Sequence, residues 1–386
     1  GTGVYRSYIA RAECMAHLGD QRAAVLDFSA AIEVNPLCVE GLCGRAFMRL
    51  ALGEEYDCVN DVTSACELDI YAVTDHILGL PDEAKKLLLF WIGTNIFVVN
   101  CRQIGMEKAE ILQKSMGLGK LLITVDNSNP TWHGMYADIL IALGEFDEAL
   151  RHLQLVMDLS PNDVTAVARA GLINVKMNRF QMASALLSSL ADVDKNGLLY
   201  VLKAIDSSRR RKLAEETIKQ AEALISVDKY AEARSYYSLS LLTDPSSKID
   251  KLRRRSRCLL KMGENSKAIA DISEVIKETA TRPQVNDYCV RGNLHLVTGK
   301  EFLACKDFMQ AIELERHQAI SLIHVKPGRT VLCSIFYQQA VEAFSKHDYQ
   351  GCHDICEMGL VIDGDDIEMR KLRARAKREI SKCIVQ

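Results

Sequence analysis

The sequence predicts an all-α fold, an α-solenoid built from antiparallel helix pairs. The first observation is a repeat, because eight segments of the chain fit one 34-residue template. The second is that two helical positions of this template, twelve residues apart, hold small residues in all eight segments. The third is a composition of only 7 Pro and 22 Gly in 386 residues, which is typical of continuous helix. Because small side chains allow two helix backbones to approach closely, these positions predict helix contacts that recur along the chain.

Each segment is predicted to fold as helix A, a tight turn, helix B and a short connection. The eight segments are 5–38, 39–72, 130–163, 164–197, 214–247, 249–282, 285–318 and 333–366. They form blocks of two repeats at 5–72, two at 130–197, three at 214–318 and one at 333–366. The turn position holds glycine in five segments and Asn178, Asp228 or His347 in the others, residues that tolerate a left-handed backbone.

Four stretches depart from the template. Residues 73–129 predict an irregular helix pair, and residues 198–213 predict a linker that extends the next helix A into one helix over about 198–225. Residues 319–332 predict a loop insertion. Residues 367–386 predict a basic capping helix and tail, with apolar residues on one face and lysine and arginine on the other.

The 34-residue period with its small residues resembles the tetratricopeptide repeat family. The segments Asn-Pro-Thr-Trp-His at 129–133, 252–259 and 372–379 resemble the C-terminal half of one family of such proteins, over nearly the full chain. This resemblance implies a right-handed superhelix whose helix A residues line a concave groove for a protein partner. It implies no catalytic residues, and its implication for function rests on analogy of fold.

The helix A positions of the later repeats are cationic and polar. The candidate partner-binding residues are Lys219, Arg253, Arg254, Arg257, Asn286, Asn293, Tyr337 and Gln338. Arginine binds carboxylates through two parallel hydrogen bonds, and asparagine can hold an extended peptide backbone. The groove of residues 214–366 is therefore predicted to bind an acidic segment or a C-terminal carboxylate. In the alternative interpretation, the arginines pair with acidic residues of neighbouring helices.

The sequence predicts neither an enzyme nor a cofactor site. No glycine-rich phosphate loop or paired acid and base motif is present, and a net charge of -3 gives no indication of nucleic-acid binding. The 13 cysteines form no CxxC pair, which indicates reduced thiols and a cytoplasmic or nuclear protein. His347, Cys352, His353 and Cys356 resemble a metal site, but helical spacing places both cysteines in the core, so no metal is predicted.

The sequence ends in Cys383-Ile384-Val385-Gln386, which fits the C-a-a-X pattern for prenylation. Basic residues precede this pattern, and one lipid plus a polybasic patch can hold a protein at a membrane. An adaptor attached to membranes through Cys383 is therefore the alternative to a groove-binding scaffold. Membrane association is expected only if Cys383 is prenylated.

Overall fold

The computed structural model describes residues 3–96 and 108–384, and every regular element in these ranges is a helix. The helices of the N-terminal part are α1 (Val4–His17), α2 (Gln21–Val34), α3 (Val39–Leu52), α4 (Glu55–Leu78), α5 (Asp82–Asn95), α6 (Lys108–Val125), α7 (Pro130–Leu143), α8 (Phe146–Leu159) and α9 (Val164–Lys176). The remaining helices are α10 (Phe180–Ser188), α11 (Lys195–Lys203), α12 (Ser207–Ser226), α13 (Tyr230–Thr243), α14 (Lys248–Lys261), α15 (Asn265–Glu278), α16 (Val285–Val297), α17 (Glu301–Leu314), α18 (Arg316–Val325), α19 (Arg329–Ser345), α20 (Tyr349–Ile362) and α21 (Ile367–Ile384). The predicted all-α fold is confirmed.

Consecutive helices pack as hairpins, and the hairpins stack within two compact units. One unit ends at Arg179 and the other begins at Phe180. The small template residues lie where the helices of a hairpin meet, and Ala46 and Cys58 of α3 and α4 have no exposed surface. The turns bend as the sequence predicts, because Gly144 has a φ of 81° and Asn178 reaches a φ of 58° at the equivalent position.

The linker before the fifth repeat differs from its prediction. The prediction of one helix over 198–225 is wrong, because α11 ends at Lys203 and α12 begins at Ser207. Asp206 causes this break, since its carboxylate accepts a hydrogen bond from the backbone N–H of Arg209 and caps α12. Arg210 then donates to the carbonyl oxygens of Leu202 and Ile205 at the end of α11.

The prediction of a loop over 319–332 is also wrong. Helix α18 continues to Val325 and α19 begins at Arg329, so most of this stretch is helical, and α18 packs against α16 and α17. It buries Ala319 and Ile323, which lie four residues apart and therefore on one face of the helix. Only a short turn with a cis Lys326–Pro327 peptide separates α18 from α19.

Two further irregular stretches, one within the repeat array and one at its C-terminal end, are also helical where they are described. In the stretch 73–129, α4 continues past a break at Asp69, whose carboxylate accepts hydrogen bonds from two backbone N–H groups and caps the second half of the helix. Helices α5 and α6 follow. At the C-terminal end, α21 buries Met369, Leu372 and Ala376 and leaves its basic residues on the opposite face.

Candidate partner-binding cavity

Helices α12, α13 and α14 border a cavity of about 530 Å³ in the unit that begins at Phe180. Its lining residues are Glu222, Ile225, Tyr230, Tyr237, Asp250, Arg253, Arg254, Arg257, Cys258 and Lys261. The structure thus brings together the three arginines that the sequence predicted as partner-binding residues. Four cations and two carboxylates line the cavity, which gives it a net positive charge.

Arg253 is held by a buried carboxylate of the next repeat. Its Nε and Nη2 donate to the two oxygens of Asp287 at 2.9 and 2.7 Å. Asp287 lies at the start of α16 and is only 1% exposed. This bond raises the pKa of Arg253, although burial partly offsets the rise. Arg253 therefore joins two repeats, as the alternative interpretation proposed for these arginines.

Arg254 is also engaged within the protein. It donates to Glu222 of α12, and its Nε donates to Asp250 at 2.8 Å, one helical turn earlier on α14. Burial lowers the pKa of Arg254, but the hydrogen bond to Glu222 and the nearby Tyr237 phenol raise it by more. Arg254 shapes the cavity wall and keeps both carboxylates neutralised.

Arg257 and Lys261 are exposed and lie one helical turn apart on α14. Neither has an ion pair with any residue in the described part of the chain. Both line the cavity, so their charges are available to an anionic ligand. Lys261 was not among the predicted residues, although its spacing of four from Arg257 places both on one helical face.

The hydroxyl group of Tyr237 is an unused hydrogen-bonding group in the cavity wall. Tyr237 is 1% exposed, and its hydroxyl has no hydrogen-bond partner among residues 3–96 and 108–384. Burial raises the pKa of this phenol, and the adjacent Arg254 partly offsets the rise. A buried polar group without a partner costs about 1–3 kcal/mol. A ligand that reached this group could satisfy it with a hydrogen bond.

The structure does not bring the other five predicted residues to this cavity. Lys219 and Asn286 are exposed, Gln338 is exposed on α19, and Tyr337 beside it is half-buried. Asn293 donates to the carbonyl oxygens of Cys289 and Lys326, at 3.0 and 3.2 Å. Its amide thus holds the turn after α18 rather than presenting itself to a partner.

A second polar feature, which the sequence analysis missed, recurs in four repeats. An arginine of helix A donates through Nε and Nη2 to both oxygens of an aspartate sixteen residues later on helix B. We call this pair the Arg–Asp clamp, and its four copies are Arg11–Asp27, Arg45–Asp61, Arg255–Asp271 and Arg291–Asp307. Three of the arginines also donate to a serine of the preceding repeat, in the pairs Arg45–Ser29, Arg255–Ser238 and Arg291–Ser273. The clamp therefore links the two helices of one hairpin to the hairpin before it.

Two other sequence hypotheses can be placed in the structure. Cys352 and Cys356 are buried in the core, and in the described ranges no group of three or more His, Cys, Asp or Glu residues is arranged to hold a metal ion. Cys383 is exposed in the last turn of α21, whereas Val385 and Gln386 lie outside the described residues. The prenylation hypothesis is not tested. None of the described helices combines the length and hydropathy needed to span a bilayer.

Comparisons with known proteins identify relatives of this chain. The chain is 31% identical to tetratricopeptide repeat protein 34 of Xenopus laevis, covering 98% of this chain and 68% of that protein. It is 30% identical to tetratricopeptide repeat protein 34 of Homo sapiens, covering 99% of this chain and 68% of that protein. Among solved structures, the TPR domain of P58(IPK) is 15% identical with a TM-score of 0.27, covering 98% of this chain and 99% of that one.

No protein-family model matches the chain. The sequence relatives nevertheless confirm the resemblance drawn from its repeats, at an identity and coverage that establish common ancestry. The chain belongs to the tetratricopeptide repeat protein 34 family.

Proposed function

We propose that this chain is a non-catalytic adaptor of the cytosol or nucleus that captures an acidic segment of a partner protein in the cavity between α12, α13 and α14. Tetratricopeptide arrays serve as protein-interaction scaffolds, since stacked repeats present extended surfaces to partners. One observation carries the proposal. Three polar groups in the cavity wall have no hydrogen-bond or ion-pair partner among the described residues. They are the Tyr237 hydroxyl, the Arg257 guanidinium and the Lys261 ammonium.

The chemistry of these three groups favours a carboxylate. Arg257 can donate two parallel hydrogen bonds to one carboxylate, and Lys261 adds a second positive charge one turn away. Tyr237 can donate its O–H to the same anion. Ile225 and Tyr230 supply apolar surface for the residue beside the acid. A side-chain carboxylate and a C-terminal carboxylate share this chemistry.

The test is selection of peptides by the full chain from a random library, with each peptide made with a free carboxyl terminus and with an amidated one. We expect enrichment of Asp and Glu, and loss of binding as salt increases. The double variant Arg257→Glu/Lys261→Glu should lose this selection, because it places two negative charges against the ligand. Retention of binding by amidated peptides would identify a side-chain carboxylate as the ligand, and its loss would identify the terminus.

The matched control is Arg282→Glu/Lys300→Glu. Both residues are exposed, lie outside the cavity, and form no ion pair within the described ranges. This variant changes the net charge by the same amount and should select the same peptides as the unaltered protein. If both double variants lose selection equally, general electrostatics rather than the cavity explains binding. If the unaltered protein selects no acidic peptide, the proposal is wrong.

A further inference from the structure

The repeat at 130–163 lacks the Arg–Asp clamp at the two template positions where four other repeats have it. The arginine position holds Tyr136 and the aspartate position holds His152. The ring of Tyr136 meets the imidazole of His152 edge to face, with 4.7 Å between the ring centroids. An ion pair that stays charged across the physiological pH range is therefore replaced by a contact that includes a titratable imidazole.

A second histidine completes this contact between α7 and α8. The Nδ1 atoms of His133 and His152 lie 3.0 Å apart, and the two rings are stacked. Both histidines are buried, at 5% and 8% exposure. The Nε2 of His133 lies 2.7 Å from the backbone carbonyl oxygen of Asn127, and the Nε2 of His152 lies 3.9 Å from a carboxylate oxygen of Glu148.

These distances fix the tautomers of the neutral pair. A carbonyl oxygen only accepts, so His133 donates its Nε2–H to Asn127 and leaves its Nδ1 without a proton. His152 must then donate its Nδ1–H to His133. A proton added to Nε2 of His152 leaves this bond intact. A proton added to Nδ1 of His133 makes two N–H groups face each other, which breaks the bond and places two cations side by side.

We propose that the His133–His152 pair makes the α7–α8 hairpin a proton-sensitive joint, closed when the imidazoles are neutral and loosened when acid protonates both. No ligand or partner is needed for this response, and it is independent of the cavity proposed to bind acidic peptides. The Arg–Asp clamp itself gives no such response, because arginine stays charged throughout the same pH range.

The surroundings of the pair oppose its protonation. Burial lowers the pKa of His152, and the charge of protonated His133 lowers it further. Glu148 raises this pKa and Arg151 lowers it, both from α8 itself. On the flanking helix α9, Arg169 is bound to Asp138 of α7 at 3.0 Å. No charge from the described residues of α6 or α9 is among the causes of the lowered pKa of His152.

The direction of the pH effect follows from this lowered pKa. His152 binds a proton less readily in the folded hairpin than in the unfolded chain, where its pKa is near the ordinary value of about 6.5. The stabilisation is therefore complete above pH 6.5 and is lost as the pH falls below it. Each pH unit in that window increases the open population of the hairpin by up to about tenfold through His152.

The test is hydrogen exchange of the full chain at pH 7.5 and pH 5.5, corrected for the intrinsic pH dependence of exchange. We expect amides of α7 and α8 to open more often at pH 5.5. In His152→Asn, the amide can donate to neutral His133 or rotate to accept from protonated His133, so this acid response should disappear. If His152→Asn does not fold, Tyr136→Arg/His152→Asp restores the clamp of the other repeats and should also abolish the response.

An internal reference lies in the other unit. His295 of α16 is buried, with a pKa lowered by burial, and its Nε2 lies 3.6 Å from Asp307. Its acid response should appear in α16 and should persist in the His152 variants. No acid response of α7 and α8 in the unaltered protein, or an equal response in His152→Asn, would overturn the proposal.

Discussion

Helix α14 has two differently used regions, although both are rich in arginine. In the region that contacts neighbouring hairpins, Arg253 and Arg255 each donate two hydrogen bonds to a buried aspartate, Asp287 and Asp271. In the region from 257 to 261, Arg257 lines the same cavity as Arg253 but has no such partner. The difference lies in the facing helix rather than in the arginine, because a buried carboxylate must be neutralised by a cation that reaches it. The number of arginines in a groove is therefore larger than the number that are free to bind a partner.

The largest expected effect comes from removing the carboxylate of a buried clamp. Asp61 accepts hydrogen bonds from Arg45 and from Arg49, and its side chain is 2% exposed. Asp61→Ala leaves the mostly buried guanidinium group of Arg45 without an anion and leaves Arg49 only the more distant Glu54, at 3.9 Å, which should reduce stability by about 3 kcal/mol. This loss corresponds to about a hundredfold increase in local opening, measured by hydrogen exchange of α3 and α4 in the full chain.

Asp27→Ala is the matched control for this prediction. The clamp geometry is the same, but the side chain of Arg11 is 60% exposed, so water can solvate the guanidinium once its partner is removed. Its effect on opening of α1 and α2 should be much smaller. Equal effects of the two variants would show that the clamp stabilises through geometry alone and that burial is irrelevant.

A moderate difference in the free energy of unfolding should distinguish the two regions of α14. Arg253→Ala leaves Asp287 buried without the two hydrogen bonds that Arg253 supplies, which should cost about 2 kcal/mol. Arg257→Ala removes an exposed cation that has no ion pair among the described residues, so stability should change by less than about 0.5 kcal/mol. Urea denaturation of both variants, followed by circular dichroism, measures this difference. A similar loss in both would mean that Arg257 is structural and would count against its proposed contact with a partner.

Much of the fold could be predicted because the same residue types recur at the same positions of each repeat, so that one poorly defined segment can be assigned from the others. The small residues at Ala46 and Cys58 and the left-handed turn at Asn178 follow from geometry that recurs in each 34-residue segment. The errors lie outside the template. Asp206 ended a helix that periodicity alone would have continued, and Ala319 with Ile323 formed a helix where the Pro-Gly pair that follows suggested a loop.

The candidate site was predicted less completely, since its properties depend on which side chains meet across helices. The sequence identified Arg253, Arg254 and Arg257 as a group, and they do share a cavity. It could not show that Asp287 holds Arg253, since 34 residues separate them. The spacing of sixteen residues in the Arg–Asp clamps is visible in the sequence, because it recurs at fixed template positions. It would have distinguished arginines that pair within the fold from arginines that are free.

An unchanged or slightly higher stability, and the most direct evidence on the cavity, should come from Tyr237→Phe. The substitution removes a buried hydroxyl without a partner and keeps the ring that packs in α13, so stability should stay the same or rise by up to about 1 kcal/mol. Binding of an acidic peptide should weaken by about three- to tenfold, because a donated hydrogen bond contributes about 0.5–1.5 kcal/mol. Isothermal titration with a selected peptide and urea denaturation measure the two quantities on the same protein. A variant that loses stability but binds unchanged would mean that the hydroxyl serves the fold, whereas opposite changes in the two quantities would mark Tyr237 as a ligand-contacting residue.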